Sequence, residues 1–456
     1  MMARVSLSHV IAGTAICAAA TVGISNPFGD MAIAHALALT ILIIGLWATG
    51  IMAEYKAALL FFTLAMLFAV APADVTFAGF GAGATWLIFS GLVIGVGVHS
   101  SGLGKSIALR LSRLFGGGYS RTIVGILLVT LVLGFIMPSS MGRVVLVMPI
   151  AIALAKEMGY EPESPGYIGV TLAAGFGCFF MPFGILPANI PNVVLHGIVE
   201  EQFGFSLIYG EWLALHFPFV SLLKVFILWA LIVYLFPAKG SNEAISVDTP
   251  PMSPIEWRLM WILIAAVIGW ATDFIHHTSP AWIGMVAAML FMTPKLGNVT
   301  TTDFGKINFS VLFYVAAILG IGAMVNHSGL GTLIADTVID ILPLGQNMFQ
   351  DFMTIALTGI GIVTFTAAPG VPILMTPMAE QLADGSGFSL KAILMIQGLS
   401  FSTPYLVYQS APIVVAMGLA GVRLIHGTKL IALLAIISVM VIFPLNFFWW
   451  RLLGWV

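Results

Sequence analysis

Apolar runs of about 20 residues, each the length of a helix crossing a bilayer, follow one another along almost the whole chain. They stand near 8–24, 31–50, 56–73, 80–99, 211–236, 258–275, 281–294, 308–326 and 429–450. Two longer runs, 166–199 and 388–420, are interrupted by proline and small polar residues and are read as broken spans. Two more, 121–155 and 348–384, carry Pro and Gly near their middles. They are read as hairpins that enter the membrane and return on the same side. The pattern predicts an all-α polytopic membrane protein of about eleven transmembrane helices plus two re-entrant hairpins, arranged as an inverted repeat.

Composition supports this reading. Of 456 residues, 60% are hydrophobic and 8% charged, against about 25% charged in soluble domains. A net charge of −2 with no basic run offers nothing to nucleic acid. Cys17 and Cys178 lie in apolar surroundings and read as small packing residues. The start, "MMARVSLSHVIAGTAICAAATVGIS", resembles a secretory signal. It is read as a retained span because the topology requires one there.

Charge sets the orientation. The loop 100–121 carries Lys105, Arg110, Arg113 and Arg121 and no acid, so it is expected in the cytoplasm. Arg4, Lys56, Lys156, Lys295, Lys306, Arg423 and Lys429 then fall on the same side, with Glu200 and Glu201 outside. The N-terminus is expected in the cytoplasm, the C-terminus outside, in a cell inner membrane. The domain plan is 1–30 as an extra span, 31–236 as a first repeat with its hairpin at 121–155, 237–257 as a cytoplasmic linker, and 258–456 as a second repeat with its hairpin at 348–384. Lys105, Arg110 and Arg113 among leucines suggest an interfacial amphipathic helix after the fourth span.

The repeat is legible in residues. "VGVHSSGLGKSIALRLSR" (96–113) matches "GAMVNHSGLGTLIADTVID" (322–340). "SSMGRVVLVMP" (139–149) matches "AAPGVPILMTP" (367–377), and "FMPFGILPANIPNVVL" (180–195) matches "FSTPYLVYQSAPIVVA" (401–416). The loop after the first match is basic; its partner carries Asp336 and Asp340 and no Lys or Arg, so the two face opposite sides. Inverted repeats of this kind are typical of secondary transporters, with the site at the repeat interface.

Irregular backbone at membrane depth survives only where it lines a cavity or is buried in protein. The expected breaks are Pro138 to Gly142, Pro187 to Asn192, Ala367 to Gly370 and Thr403 to Ser410. Each is followed by a restarting helix, whose first turn has unpaired N–H groups and partial positive charge. Four such ends would make an anion site. Arg143, one residue past the first tip and without an acid near it in sequence, offers a planar donor fork suited to a carboxylate or oxyanion. The candidate substrate-binding residues are Ser139, Ser140, Gly142, Arg143, Asn189, Asn192, Ala368, Gly370, Thr403, Pro404, Gln409 and Ser410. Pro187, Pro191 and Pro404 are expected to hold the breaks open.

At these motifs the chain resembles the divalent anion/sodium symporter family of the ion transporter superfamily, from about residue 31 onward. The family places a Ser-Asn-Thr signature at each hairpin tip with a proline following. Here Ser139-Ser140-Met141 and Ala367-Ala368-Pro369 stand at the signatures, with Pro149 and Pro377 following. The resemblance implies carboxylate binding at the tips, sodium as the coupling ion, a homodimer and an elevator-like movement. Sodium near Ser139, Ser140, Gly142 and Asn189 is the metal expectation. Ala367 and Ala368 lack side-chain oxygens, which puts a second sodium site in doubt, and Arg143 would supply positive charge that sodium supplies in relatives. That suits exchange, proton coupling or fewer sodium ions.

The function expected is secondary active transport of small anions (di- or tricarboxylates or sulfate-like anions), by symport or exchange and without a bound cofactor beyond sodium. Sodium/proton antiport would want a carboxylate at a helix break; Glu54, Glu211 and Glu256 lie at span ends and Glu380 on a hairpin arm. An oxyanion exporter stays open. An intramembrane enzyme has only "DFIHHTS", with Asp273, His276 and His277, as a hook, read as solvated loop residues. His99 and His196 read as hydrogen-bonded packing residues, and Trp449, Trp450 and Trp455 as an aromatic belt.

Overall fold

A computed structural model describes residues 7–114, 118–238, 251–276, 278–339 and 341–456. Arg4, His277, Asp340 and most of the 237–257 linker fall outside the described residues, as does the side chain of Arg113.

The described chain is helical throughout, without strands. In order come α1 (Leu7–Ser25), α2 (Met31–Thr49), α3 (Glu54–Leu67), α4 (Gly83–Ser101) and α5 (Leu103–Leu114). The first hairpin is α6 (Tyr119–Ile136) and α7 (Ser140–Glu157). The first broken span is α8 (Pro165–Phe180) and α9 (Ile190–Phe203), followed by the long α10 (Tyr209–Leu235). Then come α11 (Pro254–Ala271), α12 (Pro280–Met292), α13 (Ser310–His327) and α14 (Leu330–Ile339). The second hairpin is α15 (Met348–Phe365), α16 (Gly370–Met375) and α17 (Ala379–Ser386). The second broken span is α18 (Leu390–Phe401) and α19 (Ala411–Ala420), followed by α20 (Leu424–Leu452). Eight of these stretches are long and apolar enough to cross a membrane.

The order from α4 to α10 recurs from α13 to α20: a span, a short helix, a hairpin, a broken span, a long helix. The long helices match in detail. A π turn spans Phe217–Leu223 in α10, and another, Ser438–Ile442, runs up to Phe443-Pro444 in α20. Phe217-Pro218 and Phe443-Pro444 are a further repeat match that the three aligned motifs omit.

The hairpins enter from opposite faces. At the start of α4, a Cβ on Gly83 would lie 3.0 Å from Glu200 Oε2, so α4 begins beside the end of α9. At its other end His99 shares a groove with Lys105 and with Glu157, the last residue of the first hairpin. The face opposite holds Glu201 and Gln202 beside Asn326 and His327, from which the chain runs on to the second hairpin.

Proline places the breaks. Pro182 has no N–H, so helix α8 ends at Phe180, and two 3-10 turns, Met181–Gly184 and Leu186–Ala188, follow. The first broken span therefore opens earlier than Pro187, and Pro191 and Asn192 belong to the restarting helix, where proline is tolerated in the first turn. Pro149, by contrast, stays inside a continuous α7, whereas its partner Pro377 falls in a 3-10 turn that divides the second hairpin's returning arm. The aromatic-belt reading fails at Trp450, which is fully buried and donates to Leu215 O at 3.1 Å; Trp449 donates to Ala214 O at 2.8 Å. Ala214 O is the carbonyl that Pro218 leaves without its helical donor, so α20 supplies the donor that α10 lacks there.

Candidate anion-binding site

Both hairpin tips and both broken spans meet at one cavity of about 210 Å³. Its wall takes Ser139, Ser140 and Met141 from the first tip, and Asn189, Ile190 and Pro191 from the start of α9. From the second repeat come Ala367, Ala368 and Pro369, with Gln409, Ser410 and Ala411 at the start of α19. The restarting ends of α7, α9, α16 and α19 therefore all point their N-terminal turns at a shared space. Helix N-termini present unpaired N–H groups and partial positive charge to whatever fills it.

The caps are only partly self-satisfied. Ser139 Oγ accepts from Gly142 N at 3.1 Å, and Ser410 Oγ from Ile413 N at 3.4 Å. Asn189 and Pro369, at the other two starts, make no side-chain cap bond. The Asn189 amide Nδ2 is buried, lies at the cavity wall and has no protein partner. A buried donor left unmatched costs about 1–3 kcal/mol, and a ligand oxygen removes that cost.

Arg143 stands behind the tip, fully buried and off the cavity wall. Its Nε and one terminal nitrogen donate to Cys178 O at 3.1 and 3.0 Å. The other terminal nitrogen donates to Ala188 O at 3.2 Å and to Met137 O. Ser140 Oγ and Asn189 Oδ1 accept at 2.9 and 3.1 Å. Cys178 O is the carbonyl four residues before Pro182, and Met137 O and Ala188 O lie where α6 stops and α9 has not yet begun. The guanidinium collects carbonyls stranded by the two breaks of the first repeat. Ser140 Oγ donates in turn to Asn189 Oδ1 at 2.6 Å, which ties the first tip to the start of α9.

The second repeat makes the corresponding ties with neutral groups. Gln409 Nε2 donates to Val363 O at 3.0 Å, while its Oε1 accepts from Tyr405 N and Leu406 N at 2.8 and 2.9 Å. Tyr405 OH donates to Thr364 Oγ1 at 2.6 Å, and Tyr408 OH to Thr364 O at 3.0 Å. Thr403 Oγ1 donates to Leu399 O at 2.9 Å and serves its own helix end.

A second buried cation was not anticipated from sequence. Lys224 of α10 is 1% exposed, donates to Ser402 O at 3.0 Å and stands 5.3 Å from the centre of the Phe180 ring. It covers the carbonyl end of α18 as Arg143 covers those of α6 and α8. Among the described residues neither cation has a carboxylate within ion-pair distance. Cations at helix C-termini leave the positive N-termini uncompensated. The one sequence hint was a lysine in the middle of "FVSLLKVFILW".

Of the expected site residues, Ser139, Ser140, Asn189, Ala368, Gln409 and Ser410 line the cavity. Gly142, Arg143, Asn192, Gly370, Thr403 and Pro404 stand behind it; Asn192 Nδ2 donates to Phe183 O and Ile185 O, both at 3.0 Å. Three polar lining residues were missed: Glu54, Asn308 and Tyr314. Asn308, Val311 and Tyr314 recur every three residues at the start of α13, the spacing of one helix face, which is the signal that carries them. The sodium expectation fits poorly at the first tip. Ser140 Oγ and Asn189 Oδ1 are engaged by Arg143, and Ser139 Oγ by Gly142 N, so the oxygens a hard cation would take are already spoken for.

Comparison with known proteins adds what geometry cannot. The chain is 26% identical over 412 residues to inner membrane protein YbhI of Escherichia coli strain K12, covering 83% of this chain and 82% of that one. It is 22% identical over 347 residues to an L-tartrate/succinate antiporter of Shigella flexneri, covering 68% and 69%. The crystal structure of the YdaH transporter of Alcanivorax borkumensis shares the fold, with a TM-score of 0.54 at 16% identity over 86% of this chain and 89% of that one. Residues 41–401 match the citrate transporter family, CitMHS. That match covers well over half of the chain, so this multi-pass protein, a transporter rather than an enzyme, belongs to the citrate transporter family.

Proposed function

We propose that the protein exchanges small di- or tricarboxylates across a bacterial inner membrane, binding one anion at a time between the two hairpin tips. The observation that carries this is the convergence of four restarting helices, two from each repeat, on one cavity with the buried Arg143 guanidinium, which has no carboxylate partner among the described residues, directly behind its wall. Helix N-termini and a guanidinium gathered at one space favour a negatively charged occupant, with Glu54 the one carboxylate among the lining residues. Ser139, Ser140, the free amide of Asn189 and Ser410 would orient its oxygens; Arg143 and Gln409 would hold the tips in place.

Exchange is favoured over sodium symport because a guanidinium already sits among the oxygens of the first tip. A fixed cation cannot be released with the substrate, so the empty carrier keeps its charge and returns most readily with another anion. The names of the tartrate/succinate antiporters among its relatives agree with that choice. In the moving-bundle form implied by the resemblance, α6–α10 and α15–α20 would travel against the remaining helices, in a homodimer with cytoplasmic N-termini and external C-termini.

The test is counterflow. Purified protein in vesicles loaded with unlabelled succinate or citrate should take up the labelled anion without a sodium gradient. Sulfate should compete weakly. Uptake that requires an inward sodium gradient, and ignores internal anion, would overturn exchange in favour of symport.

A further inference from the structure

The inverted repeat pairs α4 with α13 and α9 with α19, so equivalent positions on the two faces can be compared. Ser101-Gly102-Leu103-Gly104 aligns with Ser328-Gly329-Leu330-Gly331, which sets Leu92 and Gly95 of α4 against Leu319 and Gly322 of α13. The match of 180–195 with 401–416, carried on to the next turn, sets Ile198 of α9 against Leu419 of α19.

The two sets differ in packing. On the α13 side the helices close on one another. A Cβ on Gly322 would lie 3.6 Å from Ile198, and a Cβ on Gly197 would lie 3.0 Å from Leu319. Ile198 and Leu319 are both buried. On the α4 side the same positions stand open. A Cβ on Gly95 would meet nothing within 4 Å, Leu92 is only partly covered, and Leu419 is 52% exposed. Glycine inside a helix is destabilising relative to alanine, and close packing is the common reason for keeping it. Within α4 that reason holds for Gly91, which meets Pro138, and for Gly97, which meets Phe291. It does not hold for Gly95.

The open side is a groove of about 470 Å³, more than twice the anion cavity of about 210 Å³. His99 and Lys105 form one wall, and Val145, Pro149 and Ala153 of α7 the other. Both walls run on into the anion cavity, which Ile88 and Leu92 of α4 and Met141 of α7 line. Residues 88, 92, 95 and 99 follow at intervals of three and four and share one face of α4; 141, 145, 149 and 153 do the same on α7. Gly95 therefore stands between Leu92 in the cavity and His99 in the groove. Beside this strip the first hairpin touches α4 at Pro138 and α5 at Leu146, where a Cβ on Gly104 would lie 2.6 Å away, and Val145 between them is 49% exposed. The outer end of the groove also holds Lys105 and Glu157, and neither forms an ion pair among the described residues. Charged side chains at the mouth place it at water rather than in hydrocarbon.

We infer that this groove is the aqueous route by which the anion reaches its site from the Lys105 face, that the missing side chain at Gly95 keeps the route open, and that the equivalent route from the other face is stopped where Ile198 meets Gly322. The inference rests on the transport reading only for its second readout.

The first readout is thiol accessibility in the full chain. Cys17→Ala removes the exposed native cysteine, and Cys178 is buried. In that background Gly95→Cys, in membrane vesicles of both orientations, should react with a negatively charged, membrane-impermeant methanethiosulfonate from the face where Lys105→Cys reacts, and ~10-fold more slowly from the other. The second readout is succinate exchange. Growing side chains should narrow the route without touching the bound anion, so Gly95→Ala, Gly95→Val and Gly95→Leu should slow exchange by ~2-, ~10- and ~50-fold. Succinate affinity of the solubilised variants at equilibrium should stay within ~2-fold of the wild type in titration calorimetry. A Gly95→Cys thiol that resists the charged reagent but takes apolar N-ethylmaleimide would mean that the groove holds lipid, and would overturn the inference. So would Gly95→Leu exchanging at the wild-type rate, or losing exchange and affinity together. If the leucine variant fails to fold, the thiol of Gly95→Cys and the graded alanine and valine rates decide. Wild-type vesicles that move no anion would instead sink the transport reading, with the thiol still reporting on the route.

Discussion

Removing the Arg143 guanidinium tests the site at its foundation. Its donors satisfy three buried carbonyls, of Met137, Cys178 and Ala188, besides Ser140 Oγ and Asn189 Oδ1. A buried acceptor left unpaired costs about 1–3 kcal/mol, so Arg143→Ala should lose ~3–6 kcal/mol once water entering the vacated space offsets part of the sum. Arg143→Lys retains the charge, but its ammonium has at most about three donors for these five acceptors and should lose ~2–4 kcal/mol. Transport separates shape from charge. If the guanidinium acts by fixing the tip, the lysine variant should fall nearly as far as the alanine one, by ~100-fold or more in initial exchange rate, equivalent to about 2.7 kcal/mol. If it acts only as a positive charge, the lysine variant should keep most of the rate. The assay pairs melting of detergent-solubilised protein, followed by its tryptophan fluorescence, with counterflow of a labelled dicarboxylate. An alanine variant that melts and transports like the wild type would refute the reading of Arg143 as the clasp of the broken helices.

Three further outcomes follow from named contacts. Lys224→Met replaces a buried ammonium that has one hydrogen bond. Stability should be unchanged or gain slightly, while anion affinity weakens ~10-fold, read as a raised KM in counterflow; unchanged KM with a collapsed melting temperature would make Lys224 merely structural. Asn189→Asp puts a carboxylate on the cavity wall beside Ser140 and Arg143. It should weaken anion binding by more than ~10-fold in titration calorimetry, and unaltered affinity would remove Asn189 from the site. Gly79→Ala would set a Cβ 2.1 Å from Ala316 O of α13, where neither backbone yields, and should cost ~1–3 kcal/mol of stability, whereas Gly81→Ala, with nothing within 4 Å, should melt like the wild type.

The membrane, the spans, the two hairpins and the doubling of the architecture were legible in the residues alone. Each of these rests on local properties. A run of apolar residues must stay helical in lipid because its backbone has no other hydrogen-bond partner, and Pro182, Pro138 or Pro369 interrupts that helix wherever it falls. The convergence of Ser139, Asn189, Ala368 and Ser410 was legible too, because two copies of one motif meet at a repeat interface. Which groups complete the broken ends depends instead on how the helices pack. Arg143 looks like a ligand in sequence because no acid lies near it; folded, it stands behind the cavity wall and donates to carbonyls from residues 137, 178 and 188 as well as to Ser140 and Asn189 of that wall. Lys224 looks like a stray charge in a span until it meets Ser402. Trp450 and His196 changed character for the same reason, from belt and packing residues to a buried donor to Leu215 O and an unmatched imidazole. A stranded backbone group carries no mark in the sequence of the distant side chain that will satisfy it, since partners chosen across packed helices depend on how those helices lie against one another.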